Sequence, residues 1–157
     1  MKPAADTHPQ ACAPALPDRH QRQPGHLAPA RPGTATASGY VGTFPGRADQ
    51  LSQVRREIAA HLAGCPATHD AVLIASELAA NAIIHTRSRG GTFTVRCYDS
   101  PGQARIEVED LGGPWRQRNP DGRPHGLDII AALTGPDQWG TATTSTGGRT
   151  VWARLTW

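Results

Sequence analysis

Three polar residues recur at intervals of four within an otherwise apolar segment: Glu77, Asn81 and His85. Residues four apart lie on one face of an α-helix, so the spacing predicts a carboxylate, an amide and an imidazole aligned along a single helix. The rest of the segment is apolar or small, which predicts a helix buried nearly all round. Burying a carboxylate without partners is costly, so this polar stripe should face a cleft or protein partners. A base, a neutral oxygen ligand and an imidazole suit a site for a metal and a phosphate.

A structural interpretation of the stripe stays open beside the functional one. A single Glu or Asn on a buried helix also occurs as a polar group that is hydrogen-bonded to a neighbouring loop. The segments that follow in the chain bear on this choice.

Asp110 is the second candidate, at the end of the segment RIEVED. It falls in phase with Ile106 and Val108, so strand alternation predicts that it reaches the core face. Gly112 and Gly113 follow and remove side chains where a ligand would approach the backbone. An ionised Asp only accepts hydrogen bonds, which suits a ligand amino group such as the exocyclic amine of adenine. The alternative is an Asp-Gly turn in which the strand ends one residue earlier.

Two later segments add weaker candidates. Gly126 and Leu127 begin a helical pattern after a polar loop that ends in His125, and the N-terminus of a helix is a favourable place for a phosphate. The alternative for this segment is an ordinary surface loop and helix start. Thr150 follows a tight turn and begins the last strand, where any strand threonine would also fit.

The elements that must position these residues follow from the periodicity of apolar residues. Helices are expected over residues 48–63, from about 66 or 68 to 86 or 87, and over 126–133; strands are expected over 40–44, 92–99, 104–110, 137–143 and 149–157. The 92–99 and 104–110 strands should form a hairpin with a loop somewhat longer than two residues. This order predicts an α+β two-layer sandwich, with helices on one face of a mixed, mostly antiparallel sheet.

The first 37 residues differ in composition from the rest of the chain. They hold seven of the 14 prolines and no Ile or Val, so they cannot bury enough apolar surface to offset the entropy of ordering. We expect residues 1–37 to be a disordered Pro-rich tail and residues 38–157 to be the folded domain. No segment has the length of a membrane span or the apolar run of a signal peptide.

Charge and cysteine content narrow the functional class. The net charge is +3, and the 38–157 part carries 12 arginines against 11 acids, which argues against a nucleic-acid surface. The three cysteines are widely spaced, as is typical of a reducing cytoplasm, so neither a disulfide framework nor a structural metal is expected.

The order of these motifs resembles the histidine-kinase-like ATPase (GHKL) superfamily, most closely its bacterial anti-sigma-factor serine kinases. The resemblance covers roughly residues 40–157. It is carried by SELAANAIIHT as the N box, EDLGGPW as the D-x-G box, RPHGLDII as the second glycine box and GGRTVWARL as the terminal Gly/Thr box. It implies a Bergerat-type ATP-binding fold with ATP and Mg²⁺ as cofactors.

Residue roles carry over from this resemblance position by position. Glu77 matches the general base that activates a hydroxyl or water, and Asn81 matches the Mg²⁺ ligand. Asp110 matches the carboxylate that reads adenine, and Thr150 the threonine beside it. The remaining positions implied at the ATP site are His85, Gly112, Gly113, His125, Gly126 and Leu127.

The resemblance implies a cytoplasmic serine/threonine protein kinase that acts on a partner, either an anti-anti-sigma-like protein or a sigma factor. A homodimer is compatible with it. Pro114 and Pro124 stand where the family pattern has glycine. Because proline lacks an N–H and has a restricted φ, these departures bear on kinase activity more than on ATP binding. The alternative function is a non-catalytic module in which nucleotide binding gates association with a partner.

Overall fold

The computed structural model describes residues 38–113 and 126–157. The strands are β1 (Ser38–Pro45), β2 (Thr92–Ser100), β3 (Gln103–Asp110), β4 (Trp139–Thr143) and β5 (Arg149–Thr156). The helices are α1 (Leu51–His61), α2 (Thr68–His85) and α3 (Gly126–Thr134), with a short 3₁₀ turn at Ala48–Gln50 before α1. These elements confirm the expected order of strand, two helices, two strands, helix and two strands.

The described strands form one five-stranded sheet in the order β1-β2-β3-β5-β4. Every neighbouring pair in it is antiparallel, so the sheet is more regular than the mixed sheet that we expected. The helices α2 and α3 pack against the sheet and against each other, and α1 packs against α2. The α+β two-layer sandwich is therefore confirmed.

Alternating residues of the central strands supply the sheet side of the core. Phe93, Val95 and Cys97 of β2 are buried, as are Ile106 and Val108 of β3. On the other face of the sheet, polar side chains pair with one another, among them Arg96 with Glu109 at 2.8 Å. This division between faces follows from the two-residue period of a strand, and it decides which side chains of β3 and β5 reach the helices.

The hairpin between β2 and β3 is tighter than expected. Ser100 pairs directly with Gln103, so the loop contains only Pro101 and Gly102. Gly102 has a φ of 77°, a conformation that glycine adopts without the steric cost that other residues incur. The sequence expectation of a longer loop is wrong because the two strands continue to pair up to this turn.

Helix α2 is buried along one side only. Ile74, Leu78 and five further residues face the core, whereas Leu73 is 40% exposed and Ile84 is 63% exposed. The expectation of a helix buried nearly all round is therefore wrong, because a single layer of helices leaves part of each helix without a neighbour. Among the described residues, no helix has both the length and the apolar content needed to cross a bilayer.

Adjacent residues of α2 offer a matched test of this packing. Ile74→Ala removes a side chain with no exposed surface, and it should lower the free energy of unfolding by about 2–5 kcal/mol. Leu73→Ala, at a 40% exposed position on the same helix, should cost less than about 1 kcal/mol. Urea denaturation followed by circular dichroism measures both values. Equal losses for the two variants would contradict the orientation of α2.

Candidate functional site

The polar stripe of α2 lies against the first residue of α3. A Cβ atom added to Gly126 would lie 2.7 Å from Oε2 of Glu77 and 3.2 Å from Nδ2 of Asn81. The first of these separations is shorter than any real Cβ contact, so a side chain at this position would displace the carboxylate. Glycine thus allows the start of α3 to approach the two polar groups that the sequence singled out.

Asn81 has an unsatisfied amide group. Its Nδ2 atom is buried and has no hydrogen-bond partner among the described residues. Most buried polar atoms in folded proteins are hydrogen-bonded, so an unpaired one calls for an explanation such as a ligand or an ion. The N and O atoms of an amide can be interchanged by rotation, which would present the oxygen at the same point. The site therefore has a polar group in position to bind something other than protein.

The third member of the stripe lies further along the helix. His85 is the last residue of α2 and is half-buried, one turn beyond Asn81. The helix ends there because Thr86 has an extended backbone, with a φ of −132° and a ψ of 176°. The structure thus brings Glu77 and Asn81 to α3, while His85 lies at the end of the stripe, towards the turn that follows.

Asp110 is confirmed as a buried carboxylate at the end of β3. It is 3% exposed, and its Oδ1 atom accepts a hydrogen bond from the N–H of Gly112 at 2.6 Å. Its Oδ2 atom accepts contacts from Nη2 and Nε of Arg149 at 3.3 Å and 3.4 Å. The strand continues through Asp110, so the alternative in which it ends earlier is wrong. The bond to Gly112 shows that this Asp also stabilises the turn.

The glycines after Asp110 serve close packing of the backbone. Gly112 has a φ of 67°, and a Cβ atom there would lie 2.4 Å from the carbonyl oxygen of Gly147 in the β4–β5 turn. At Gly113, which has a φ of 126°, the nearest atom to an added Cβ is Cγ of Arg87 at 3.4 Å. These two residues therefore hold the end of β3 between α2 and the β4–β5 turn.

The sequence analysis missed two residues that fasten this turn. Ser88 has no exposed surface, and its Oγ atom accepts a hydrogen bond from the N–H of Leu111 at 3.0 Å. Arg87 donates from Nε and Nη2 to the carbonyl oxygen of Leu111, at 3.1 Å and 2.9 Å. A polar pair directly after a buried helix was the available signal, since such residues commonly satisfy the backbone of a neighbouring loop.

Thr150 does not lie beside Asp110. Its partner across the strands is Glu109, and the residue opposite Asp110 is Arg149. Because side chains alternate along β5, Arg149 shares the core-side face with Val151, and Thr150 points to the other face of the sheet. The assignment from sequence is thus wrong by one residue. The alternation of Val151, Ala153 and Leu155 contained the information needed to see this.

The two remaining candidates differ in what the structure says of them. Leu127 is half-buried and packs against the hydrophobic core, so it anchors the first turn of α3. His125 lies outside the described residues, as do Pro114 and Pro124.

Two cavities in the described part of the chain lie away from the polar stripe. One of about 160 Å³ is lined by Thr94 and Glu109 of the outer sheet face, together with the end of β3. The other, of about 450 Å³, is lined by residues that include Arg47, Ile84 and Arg89. Since neither reaches Glu77 or Asn81, the stripe is covered by the start of α3 and does not open into either cavity.

Cysteine chemistry does not contribute to the site. Burial in the core, followed by the charge of Asp99, raises the pKa of the Cys97 thiol to about 12. The thiol is therefore protonated at neutral pH, and a thiol is a far weaker nucleophile than a thiolate. Cys97 acts as a small core residue of β2.

Comparison with known proteins gives one assignment. Residues 44–153 match the family model of the histidine kinase-like ATPase domain, which spans the chain from the end of β1 into β5. A search of curated proteins gave no match. The matched segment is more than half of the chain and includes Glu77, Asn81 and Asp110. This chain belongs to the histidine kinase-like ATPase domain family.

Proposed function

We propose that this protein is an ATP-dependent serine/threonine protein kinase of the anti-sigma-factor type, acting on a partner protein. Membership of the histidine kinase-like ATPase family supports an ATP-binding regulatory function. The kinase activity and the partner, an anti-anti-sigma-like protein or a sigma factor, are the proposed steps beyond it.

One observation carries the proposal: the carboxylate of Glu77 and the amide of Asn81 meet the start of α3 at Gly126. The first N–H groups of a helix have no partners within the helix, and they favour an anion at that end. A phosphate bound there would lie next to a carboxylate that is able to accept a proton. Phosphoryl transfer requires this combination of positioning and a base near the nucleophile.

Each residue of the stripe then has a defined task. Glu77 would accept the proton of a serine hydroxyl as its oxygen forms a bond to the γ-phosphorus. The bond between that phosphorus and the β–γ bridging oxygen breaks, and ADP departs with the electron pair. A carboxylate and a polyphosphate repel each other, so the site needs a cation between them.

The side chains that are present fit Mg²⁺ as that cation. The described residues contain no cluster of three or more His, Cys, Asp or Glu that would hold a metal by themselves. Mg²⁺ is ordinarily held by one or two protein ligands together with phosphates and water, and it prefers oxygen. The unpaired amide of Asn81 suits such a ligand, with its oxygen turned towards the ion. When bound, Mg²⁺ would neutralise charge on the phosphates.

Asp110 would orient the base of the nucleotide in this proposal. Its buried carboxylate is an acceptor, which complements the exocyclic amine of adenine. His85, Gly113, His125 and Leu127 are proposed as further positions around ATP on the strength of the family resemblance alone.

A second function is favoured by the coverage of Glu77. Because the start of α3 lies against its carboxylate, Glu77 might be expected to serve only as a contact between the helices. The protein would then be a non-catalytic module in which nucleotide binding gates association with a partner. The two functions differ in the consequence of removing the carboxylate.

Substitution of Glu77 and Asn81 separates these functions. Glu77→Ala should lower phosphotransfer by about 100-fold or more, because general-base catalysis contributes about 10²–10⁴-fold. It should leave ATP affinity nearly unchanged, or raised through loss of charge repulsion. Asn81→Ala should instead weaken ATP binding in the presence of Mg²⁺ and have little effect in EDTA. Labelled ATP, candidate partner proteins and calorimetry measure these quantities.

The control for both variants is Asp70→Ala, which removes an exposed acid from the first turn of the same helix. It should change neither phosphotransfer nor ATP affinity. A wild-type protein that binds ATP tightly, yet transfers no phosphate to any partner and hydrolyses none, would support the gated module instead.

Gly126→Ala tests the contact that carries the proposal. The added methyl group would displace the Glu77 carboxylate, which is the end of a flexible side chain, so the free energy of unfolding should change by less than about 1 kcal/mol. Phosphotransfer should nevertheless fall by at least about tenfold, since small displacements of catalytic groups are costly. Ala132→Ser, at an exposed position of α3, is the matched control. Unaltered phosphotransfer by Gly126→Ala would remove the basis of the assignment.

A further inference from the structure

Arg149 lies at a place where the sequence suggested no functional residue. It is the first residue of β5 and stands directly opposite Asp110 in the antiparallel pair with β3. The side chain of Asp110 is 2% exposed and that of Arg149 is 18% exposed, so the cation covers the carboxylate from the solvent side. This arrangement places a cation at the group that is proposed to read the base.

The contact between the two side chains is loose. Nη2 and Nε of Arg149 lie 3.3 Å and 3.4 Å from the same oxygen, Oδ2 of Asp110. A strong charge-assisted bond of this kind is about 2.7–2.9 Å long, and a fork of two bonds would use both carboxylate oxygens. Oδ1 is instead bonded to Gly112. The pair is therefore held by the strand register and not by a tight ion pair, which leaves room for a third group.

We propose that Arg149 and Asp110 together read the edge of the adenine base. The pair presents an acceptor, Oδ2 of Asp110, beside a cationic N–H donor, and adenine carries a complementary pair: the 6-amino donor beside the N1 acceptor. Asp110 would accept from the amino group while Arg149 donates to N1. This inference rests on the proposed function, in which Asp110 faces the base.

The same pair rejects guanine at both positions. Guanine has a carbonyl oxygen at position 6 and an N–H at position 1, so an acceptor would face an acceptor and a donor would face a donor. Leaving buried polar groups unpaired in this way is more costly than losing a single contact. Arg149 would thus be a specificity-determining residue of this chain, in addition to Asp110.

The test compares ATP with 1-deaza-ATP, in which a C–H group replaces N1 and the amino group is retained. Calorimetry on the full-length protein should show at least about tenfold weaker binding of 1-deaza-ATP, equivalent to about 1.4 kcal/mol. In Arg149→Met this difference should disappear, because the donor to N1 is absent. Arg154→Met, on the outer face of the same strand, should keep the wild-type difference.

Other outcomes overturn the inference in distinguishable ways. Equal binding of ATP and 1-deaza-ATP by the wild type would show that Arg149 does not read N1, and this result does not require any variant to fold. Tighter ATP binding by Arg149→Met would show that Arg149 competes with the base for Asp110. Absence of ATP binding by the wild type would instead contradict the proposed function itself.

Discussion

The close approach of α3 to α2 at Gly126 is the constraint on which the site depends. A helix of nine residues with one buried isoleucine, Ile130, has little core of its own, so its position is set by what it contacts. At its first turn it contacts the Glu77 carboxylate and the Asn81 amide, and only glycine leaves space for both. The fold uses a missing side chain to place the positive end of a helix beside a carboxylate. That combination is unfavourable for a purely apolar core and useful for phosphate chemistry.

The opposite side of the site depends on how the end of β3 is held. Asp110 is kept in place through the backbone that follows it, since Gly112 bonds its carboxylate and Ser88 and Arg87 bond Leu111. These contacts connect the end of α2 to the end of β3. The proposed base-reading carboxylate and the phosphate-facing stripe are therefore parts of one connected structure, which suits recognition of a ligand that extends from one to the other.

The sequence was sufficient to predict the elements and the fold class because the apolar periodicities are strong. It placed Glu77 and Asn81 on one helix and brought Asp110 to the core face by counting alternate residues, and the structure confirms these placements. It failed at Thr150, where the family motif was followed and the alternation of β5 was not. The role of Gly126 was also beyond it, because the contact between α2 and α3 joins residues distant in sequence.

Two other differences have physical causes that no local pattern reveals. Ile84 is largely exposed although its surroundings in sequence are apolar, because the number of layers in a fold decides how many faces of a helix are covered. Arg149 contacts Asp110 because β5 inserts between β3 and β4 in the sheet, and strand order is a property of the whole topology. Both facts require the tertiary structure.

The central claim is that the buried Asp110 selects an adenine nucleotide, and calorimetric titration with ATP and GTP in the presence of Mg²⁺ tests it most directly. The account predicts that the wild type binds ATP at least about tenfold more tightly than GTP, a difference of about 1.4 kcal/mol. Asp110→Asn should weaken ATP binding by a similar factor. Equal affinities of the wild type for ATP and GTP would contradict the account.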